Sequence, residues 1–375
     1  MIRGIAAPLR LCGTDMTKSR PPRADTVPSS RSDGLRPTVG DVARGAQVSK
    51  STASRVLSGR GYVSSEALER VRRAVDTLGY VPNDIARSLK ARSSRVIGMV
   101  IDDLSEPFFA EVAAGIESVL RAHGFRMFLA ATEGVSQNEA EALERFAAMQ
   151  AEGIIISAST PDSPAIMRDA IARRIPIVEV DRRVADGACD GVVLENERAG
   201  YLATRHLIEL GHRHIVVVGG PFTSGDGRIA GYRSALAEAG IPVDERLISR
   251  VSFHPADPAS AVGQVLDASP HATALFTTGD ILAEGGLMAL RRRRRTIPGD
   301  FSIVGFDDVP WMLLIDPSLT TVAQPTREIG THAAELLLDR VEGRVVGPPL
   351  TRYLEPRLVV RESTGPAPRS TVSLS

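Results

Sequence analysis

The chain has 375 residues, enough for two or three domains at roughly 100–200 residues each, and no stretch approaches the roughly 18 apolar residues of a membrane span. It has only two cysteines, Cys12 and Cys189, and no His/Cys group at ligand spacing. This argues against a disulfide framework and a structural metal, and fits a reducing cytoplasm. The net charge is zero but unevenly spread: residues 1–95 carry 18 Lys/Arg against 8 Asp/Glu, and the remainder 27 against 37. A basic head on an acidic body suits a polyanion partner, although Arg content also fluctuates along any chain.

Residues 1–36 are rich in Pro, Ser, Arg and Asp and show no periodicity. They are expected to form a disordered leader, or to follow a start placed upstream of Met16. Their apolar stretch is short and interrupted, unlike a signal peptide. From Thr38 the texture changes. Thr38 caps VGDVARGA, with Val39, Val42, Ala43 and Ala46 on one face. Ser49 caps KSTASRVL, with Ala53, Val56 and Leu57 inward. After SGRGYV, a third helix starts at Ser64 or Ser65, with Leu68, Val71, Val75 and Leu78 as its apolar face and Gly79 as its C-cap. Two short helices joined by a tight turn, then a longer supporting helix, describe a helix-turn-helix unit over residues 37–81. Residues 82–94 link it to the body, with a short helix expected from Asn83 to Lys90.

From Arg95 apolar strands alternate with helices. RVIGMVID, FRMFLAAT, GIIISAS, IPIVEVD, VVLENE, HIVVVGG, ATALFTTGD, FSIVGFD and RYLEPRLVVRES are expected strands, and helices separate most of them. About ten such strands mean parallel sheets covered on both faces, packed as two doubly wound lobes with a cleft between them. This α/β body spans residues 95–364, and 365–375 form a loose tail.

The stretches TVGDVARGAQVSKSTASRVLSG and VRRAVDTLGYVPNDIARSLK resemble the headpiece and hinge of the lactose/galactose-repressor (LacI/GalR) family. DLSEPFFAEVAAGIE, IPIVEVDRR, HLIELGHRHIVVVGG, RIAGYRSAL, SIVGFDD and SLTTVAQPTREIG resemble further landmarks of that family, in family order. Each is weak alone; eight in order, over residues 37–363, are specific. The resemblance implies a core like that of periplasmic sugar-binding proteins, crossed three times by the chain. It also implies a regulator that binds a palindromic operator. No C-terminal heptad segment of the kind that makes tetramers is visible, so a homodimer is expected.

In a helix-turn-helix the second helix enters the major groove and its N-terminal residues meet base edges. Here Lys50 and Ser51 fall at the family's main base-reading positions, with Ser54 and Arg55 one turn on. Lys and Arg suit guanine O6/N7, and Ser serves several bases. Thr38, Ser49 and Thr52 are expected to hold phosphates and fix register. Asn83–Leu89 resembles the hinge helix that folds on docking. Leu89 matches the minor-groove wedge and Ala86 the small residue beside it. Such a short helix is marginal alone, so its formation can depend on core geometry. Two departures bear on operator detail: Gln47 stands where Gly is usual and Ser58 where Asn is common.

The effector is expected between the lobes, where loops leave the carboxyl ends of strands. Asp102, Asp181, Arg182, Asp280 and Asp307 follow strands, and Arg228 opens a helix. By resemblance Asp102, Asp181, Arg228, Gly279, Asp307 and Gln324 match effector-contacting positions, and Phe108 and Phe109 an aromatic wall. Carboxylates accept and Arg donates several bonds to sugar hydroxyls. A sugar or sugar derivative is expected first, a nucleobase or other metabolite next. Glu106 replaces the usual Asn before Pro-Phe-Phe, and residues 253–258 lack an aromatic some members carry. No cofactor is expected. An enzyme is disfavoured because GxGxxG, GxSxG and P-loop patterns are absent. A periplasmic binding protein would lack residues 37–90. The run of five arginines at 291–295 reads as a solvated helix end favoured by the helix dipole.

Overall fold

The computed structural model describes residues 37–58, 62–80, 93–160, 162–184, 187–220, 223–251 and 257–368. The hinge residues Asn83, Ala86 and Leu89 lie outside them, as do the leader and the end of the tail. Two compact units are present, residues 1–84 and 85–375. The division falls inside the segment expected to be the hinge.

The first unit holds α1 (Val39–Gly45), α2 (Lys50–Ser58) and α3 (Ser65–Leu78). Thr38 and Asp41 form a reciprocal capping box on α1. The Ser49 hydroxyl accepts from the Thr52 amide (3.1 Å), and Ser64 accepts from Ala67 (3.3 Å). Val42, Ala43, Ala46, Ala53, Val71, Ala74 and Tyr80 make the small core. Leu78, expected to face inward, is 38% exposed. Gly79 turns left-handed (φ 58°) at the C-cap, and the reversed chain lays Tyr80 on the core instead.

Gln47, in the turn between α1 and α2, has φ 53°. A Cβ there is strained, and Gln47→Gly should stabilise this unit by about 1 kcal/mol. Thermal unfolding of the full chain checks this; a headpiece transition that stays put or falls would refute the strain account.

The second unit has two six-stranded sheets. The first contains β1 (Val96–Ile101), β2 (Arg126–Ala131), β3 (Gly153–Ile156), β4 (Ile177–Val180), β5 (Asp190–Leu194) and β11 (Thr351–Leu354), in the order β11-β5-β4-β3-β1-β2. The second contains β6 (Ile215–Gly219), β7 (Ile248–Arg250), β8 (Ala274–Thr277), β9 (Ser302–Phe306), β10 (Thr320–Ala323) and β12 (Arg357–Val359), in the order β12-β10-β9-β8-β6-β7. All pairings are parallel except β10 with β12. The central strands are buried throughout, as their unbroken Val/Ile runs require.

Helices α4 (Pro107–Ala122), α5 (Ser136–Ala148), α6 (Ser163–Ala172) and α12 (Thr326–Val341) belong with the first sheet. Helices α7 (Asn196–Glu209), α8 (Thr223–Glu238), α9 (Pro258–Asp267), α10 (Asp280–Arg292) and the short α11 (Trp311–Leu314) belong with the second. The chain therefore crosses between lobes three times: from Leu194 to Asn196, from Ala323 to Thr326 and from Leu354 to Arg357. Among the described residues no helix is long and apolar enough to cross a membrane.

The strand expectations need correction. Among the described residues there are twelve strands, and β7 and β10 were not expected. RYLEPRLVVRES is not one strand: it breaks at Glu355–Pro356 into β11 and β12, one in each sheet. Pro356 has no amide to give a ladder, so the chain leaves one sheet there and joins the other. Two helix pairs pack backbone to backbone. A Cβ on Gly200 or Gly231 would sit 1.8 Å from the Arg228 or Glu197 carbonyl oxygen, joining α7 to α8. Gly115 and Gly330 do the same for α4 and α12, at 2.3 and 2.0 Å.

Candidate functional site

The carboxyl ends of β4, β8, β9 and β10 converge on one cavity between the lobes, with the N-termini of α4, α8 and α10 around it. It holds about 420 Å³ free of protein atoms, part of it open to solvent. Phe108, Asp181, Arg182, Arg228, Gly279, Asp280, Asp307 and Gln324, all singled out from sequence, line it together. Two others do not. Asp102 is buried behind the wall, where its carboxylate lies 3.5 Å from Arg182 Nη1. Phe109 is 1% exposed and belongs to the core of the first lobe, holding the Phe108 ring edge-on at 5.1 Å.

Arg228 organises the second-lobe side. It is 3% exposed. Its Nε donates to Asn196 Oδ1 (2.8 Å), its Nη1 donates to the Thr278 carbonyl (2.6 Å), and its guanidinium lies 3.7 Å over the Phe306 ring. Burial pulls its pKa down, and the charges of Asp307 and Asp181 oppose that. On the first-lobe side Arg182 Nε sits 3.1 Å from Asp181 Oδ2, and Nη1 donates to the Ala158 carbonyl at 3.4 Å. Asp181 and Asp307 hold left-handed backbones (φ 63° and 81°), conformations that Asp tolerates and that cluster at sites where geometry is imposed.

The carboxylates crowd one another. Burial, then the Asp280 charge, push the Asp307 pKa up to about 7, against Arg228 and the hydrogen bond from Gln324 Nε2 (2.5 Å). Asp280 is raised by burial and by Glu106. Asp307 keeps its proton in the folded chain at pH values where the unfolded chain has lost it. Its contribution to stability is therefore full below about pH 4 and is lost as pH rises through about 7. Asp307→Asn should flatten the fall in melting temperature between pH 5 and 8 in the ligand-free protein. An unchanged slope in the variant would sink this assignment.

Sequence reading left out Glu106, Ser224, Ile281 and Leu282, which also line the cavity. It also left out Asn196, Thr278 and Phe306, which hold Arg228. Ser224 had a signal: it stands one helical turn before Arg228. Asn196 had none, because only the fold brings it there.

In the first unit, Lys50, Ser51 and Arg55 are exposed along α2, and Thr52 and Ser54 are half-buried. Neither Lys50 nor Arg55 has an acidic partner among the described residues, so both cations face outward. Ser49 Oγ is 2.8 Å from both Ser51 Oγ and Thr52 Oγ1, which draws three hydroxyls together at the N-terminus of α2. Such a helix start suits a phosphate. Thr38 Oγ1 donates to Asp41 Oδ2 (2.7 Å), so a phosphate contact there would have to displace that bond.

A helix-turn-helix unit on a two-lobed body with an interlobe cavity defines a ligand-responsive transcriptional regulator. The chain belongs to the LacI family: residues 38–83 match the family of bacterial regulatory proteins of lacI type, and residues 94–354 match the periplasmic binding proteins and sugar-binding domain of the LacI family. It is 34% identical over 332 residues to the ribose operon repressor of Haemophilus influenzae, covering 87% of this chain and 98% of that one. The lac repressor dimer bound to operator and the anti-inducer ONPF shares the fold at TM-score 0.78 and 27% identity, over 88% of this chain and all of that one. A LacI-family regulator from Enterococcus faecium with bound ribose matches at TM-score 0.64 and 32% identity, over 73% of this chain and all of that one. These relatives are regulators rather than enzymes.

Proposed function

We propose that the chain represses transcription in the cytoplasm by binding a palindromic operator as a homodimer, and that a sugar or sugar derivative in the interlobe cavity sets its operator affinity. The observation that carries this reading is the ring of Asp181, Arg182, Arg228, Asp280, Asp307 and Gln324 around one cavity at strand ends. Carboxylates and guanidinium forks are the groups that hold hydroxyls in fixed directions, and Phe108 offers an apolar face to a ring. The ribose operon repressor and the ribose-bound regulator are among the similar proteins, which agrees with a sugar.

On the DNA side, Lys50, Ser51, Ser54 and Arg55 read bases, and Thr38, Ser49 and Thr52 hold phosphates. Asn83, Ala86 and Leu89 form the hinge that enters the minor groove. The cavity is walled by both lobes, so its occupant favours one lobe arrangement over another. That difference, of order 1–3 kcal/mol, is transmitted to the paired hinges. Either sign of response is compatible with such coupling.

The test is selection of operator DNA from a random pool with the purified protein, then titration of the selected site with sugars at fixed salt. A palindrome whose affinity changes with one sugar supports the reading. Failure to enrich any sequence, with and without the sugars, would remove it.

A further inference from the structure

The chain enters the first lobe through Ser93–Arg95, directly after the segment expected to form the hinge, and this entry is pinned. The Ser93 hydroxyl and the Arg95 amide both donate to Glu152 Oε1, each at 2.7 Å. The Ser94 hydroxyl donates to the Gln150 carbonyl (2.6 Å) and accepts from the Val96 amide (3.2 Å). The backbone continues the tie: the Arg126 amide donates to the Arg95 carbonyl and the Glu152 amide to the Val96 carbonyl, each at 2.8 Å. The Arg95 side chain runs the other way, with Nη1 on the His123 carbonyl (3.3 Å) and the guanidinium 4.7 Å over the buried Phe125 ring. Three residues are thus fastened to both turns that flank β1, residues 123–125 before β2 and residues 149–152 before β3.

A second observation concerns the backbone. Arg95 has φ 55°, and Gln150, which meets Ser94, has φ 56°. Left-handed backbone is costly for a residue with a Cβ and persists only where surrounding contacts impose it. A segment that merely spanned a gap would have no use for such a conformation, because flexible linkers leave their polar groups to water and absorb motion. A pinned entry instead fixes the direction in which the chain leaves the lobe, so a change of lobe arrangement is passed to the hinge. Glu152 is central to it, because one carboxylate oxygen holds a side chain and a main-chain amide on either side of Ser94.

We propose that Glu152 is a positioning residue for operator recognition: by pinning the Ser93–Arg95 turn it fixes how a dimer presents its two recognition helices, and so sets the half-site spacing that the protein accepts. This rests on the chain binding a palindromic operator as a homodimer. One inserted base pair turns one half-site by about 35° and moves it by about 3.4 Å. A pinned entry cannot follow that change, and a loose one can.

The test uses the full-length protein and the operator selected from a random pool, alongside the same operator with one base pair more or one fewer at its centre. Affinities are read by fluorescence anisotropy at fixed salt. The wild-type protein should lose at least about tenfold on either altered spacing, and Glu152→Ala should cut that penalty to about threefold or less. Glu152→Gln, which keeps Oε1 as an acceptor, should retain most of it. All three operators meet the same protein preparation, so any loss of folded protein cancels in the ratio, which a purely structural role would leave unchanged. Ser93→Ala combined with Ser94→Ala leaves the Arg95 bond to Glu152 in place and should give an intermediate penalty. A penalty as large in Glu152→Ala as in the wild type, or a wild type indifferent to spacing, overturns the proposal and leaves the operator-binding reading standing. If no palindrome is enriched at all, that reading fails and the proposal fails with it.

Discussion

Arg228→Ala should abolish the effector response while leaving the ligand-free chain able to bind its operator. Arg228 ties together three places that meet only in the folded body: Asn196 just after the first crossing, Thr278 at the end of β8 and Phe306 at the end of β9. Each hydrogen bond from a charged group is worth roughly 1.5–3 kcal/mol, so the body should lose about 3 kcal/mol of stability. Effector affinity should fall by at least about thirtyfold, because a ligand hydroxyl loses its donor and Asp307 loses the positive charge that favours its ionised form. Arg228→Lys keeps the charge but not the planar fork or the stack on Phe306, and should recover only part of the loss. The check is operator titration by fluorescence anisotropy across effector concentrations. A variant that responds at the wild-type midpoint would exclude Arg228 from the effector site.

The second large effect is expected on the exposed face of α2. Arg55→Ala and Lys50→Ala should each cost about 1–3 kcal/mol per half-site, the worth of a good base contact. The loss doubles when a dimer reads two half-sites. It should be concentrated on one base pair in each half, so that changing that pair in the operator no longer matters to the variant. Thr52→Ala should behave differently. A phosphate contact positions without reading, so binding should weaken evenly across operator variants. Competition binding against a panel of single-base operator variants separates the two patterns. An even loss for Arg55→Ala would move that residue from base reading to backbone clamping.

The helix-turn-helix unit was legible because its information is local. Capping Thr38, Ser49 and Ser64, the Gly79 cap and the small-residue faces act within a few residues of themselves. The strand–helix alternation was legible for the same reason, since buried parallel strands are written as Val/Ile runs. β7 was missed because three residues, ISR, carry no alternation to detect. β10 was missed because TTVA is half threonine, and its burial comes from β9 and β12 on either side.

In the cavity, the charged residues at strand ends were found, and the uncharged residues beside them, Thr278 and Phe306 around Arg228 and Ile281 and Leu282 after Asp280, were not. Phe108 and Phe109 are neighbours in sequence, and nothing local says which ring faces the cavity. The register of α4 decides: Phe108 lines it and Phe109 turns into the lobe. Glu106 was visible as a departure from the family pattern, but its place beside Asp280 depends on the two lobes meeting.

The backbone contacts of Gly115, Gly200, Gly231 and Gly330 have a genetic consequence. None of the four lines the cavity or lies on α2, yet the atoms that a Cβ would meet are main-chain atoms, which cannot rotate away. In a saturation library scored by reporter repression, each should tolerate no other amino acid, alanine included. Such positions would resemble a functional site on a tolerance map while touching neither DNA nor effector. Their signature is insoluble or rapidly degraded protein, which distinguishes them from Arg55, whose variants should accumulate.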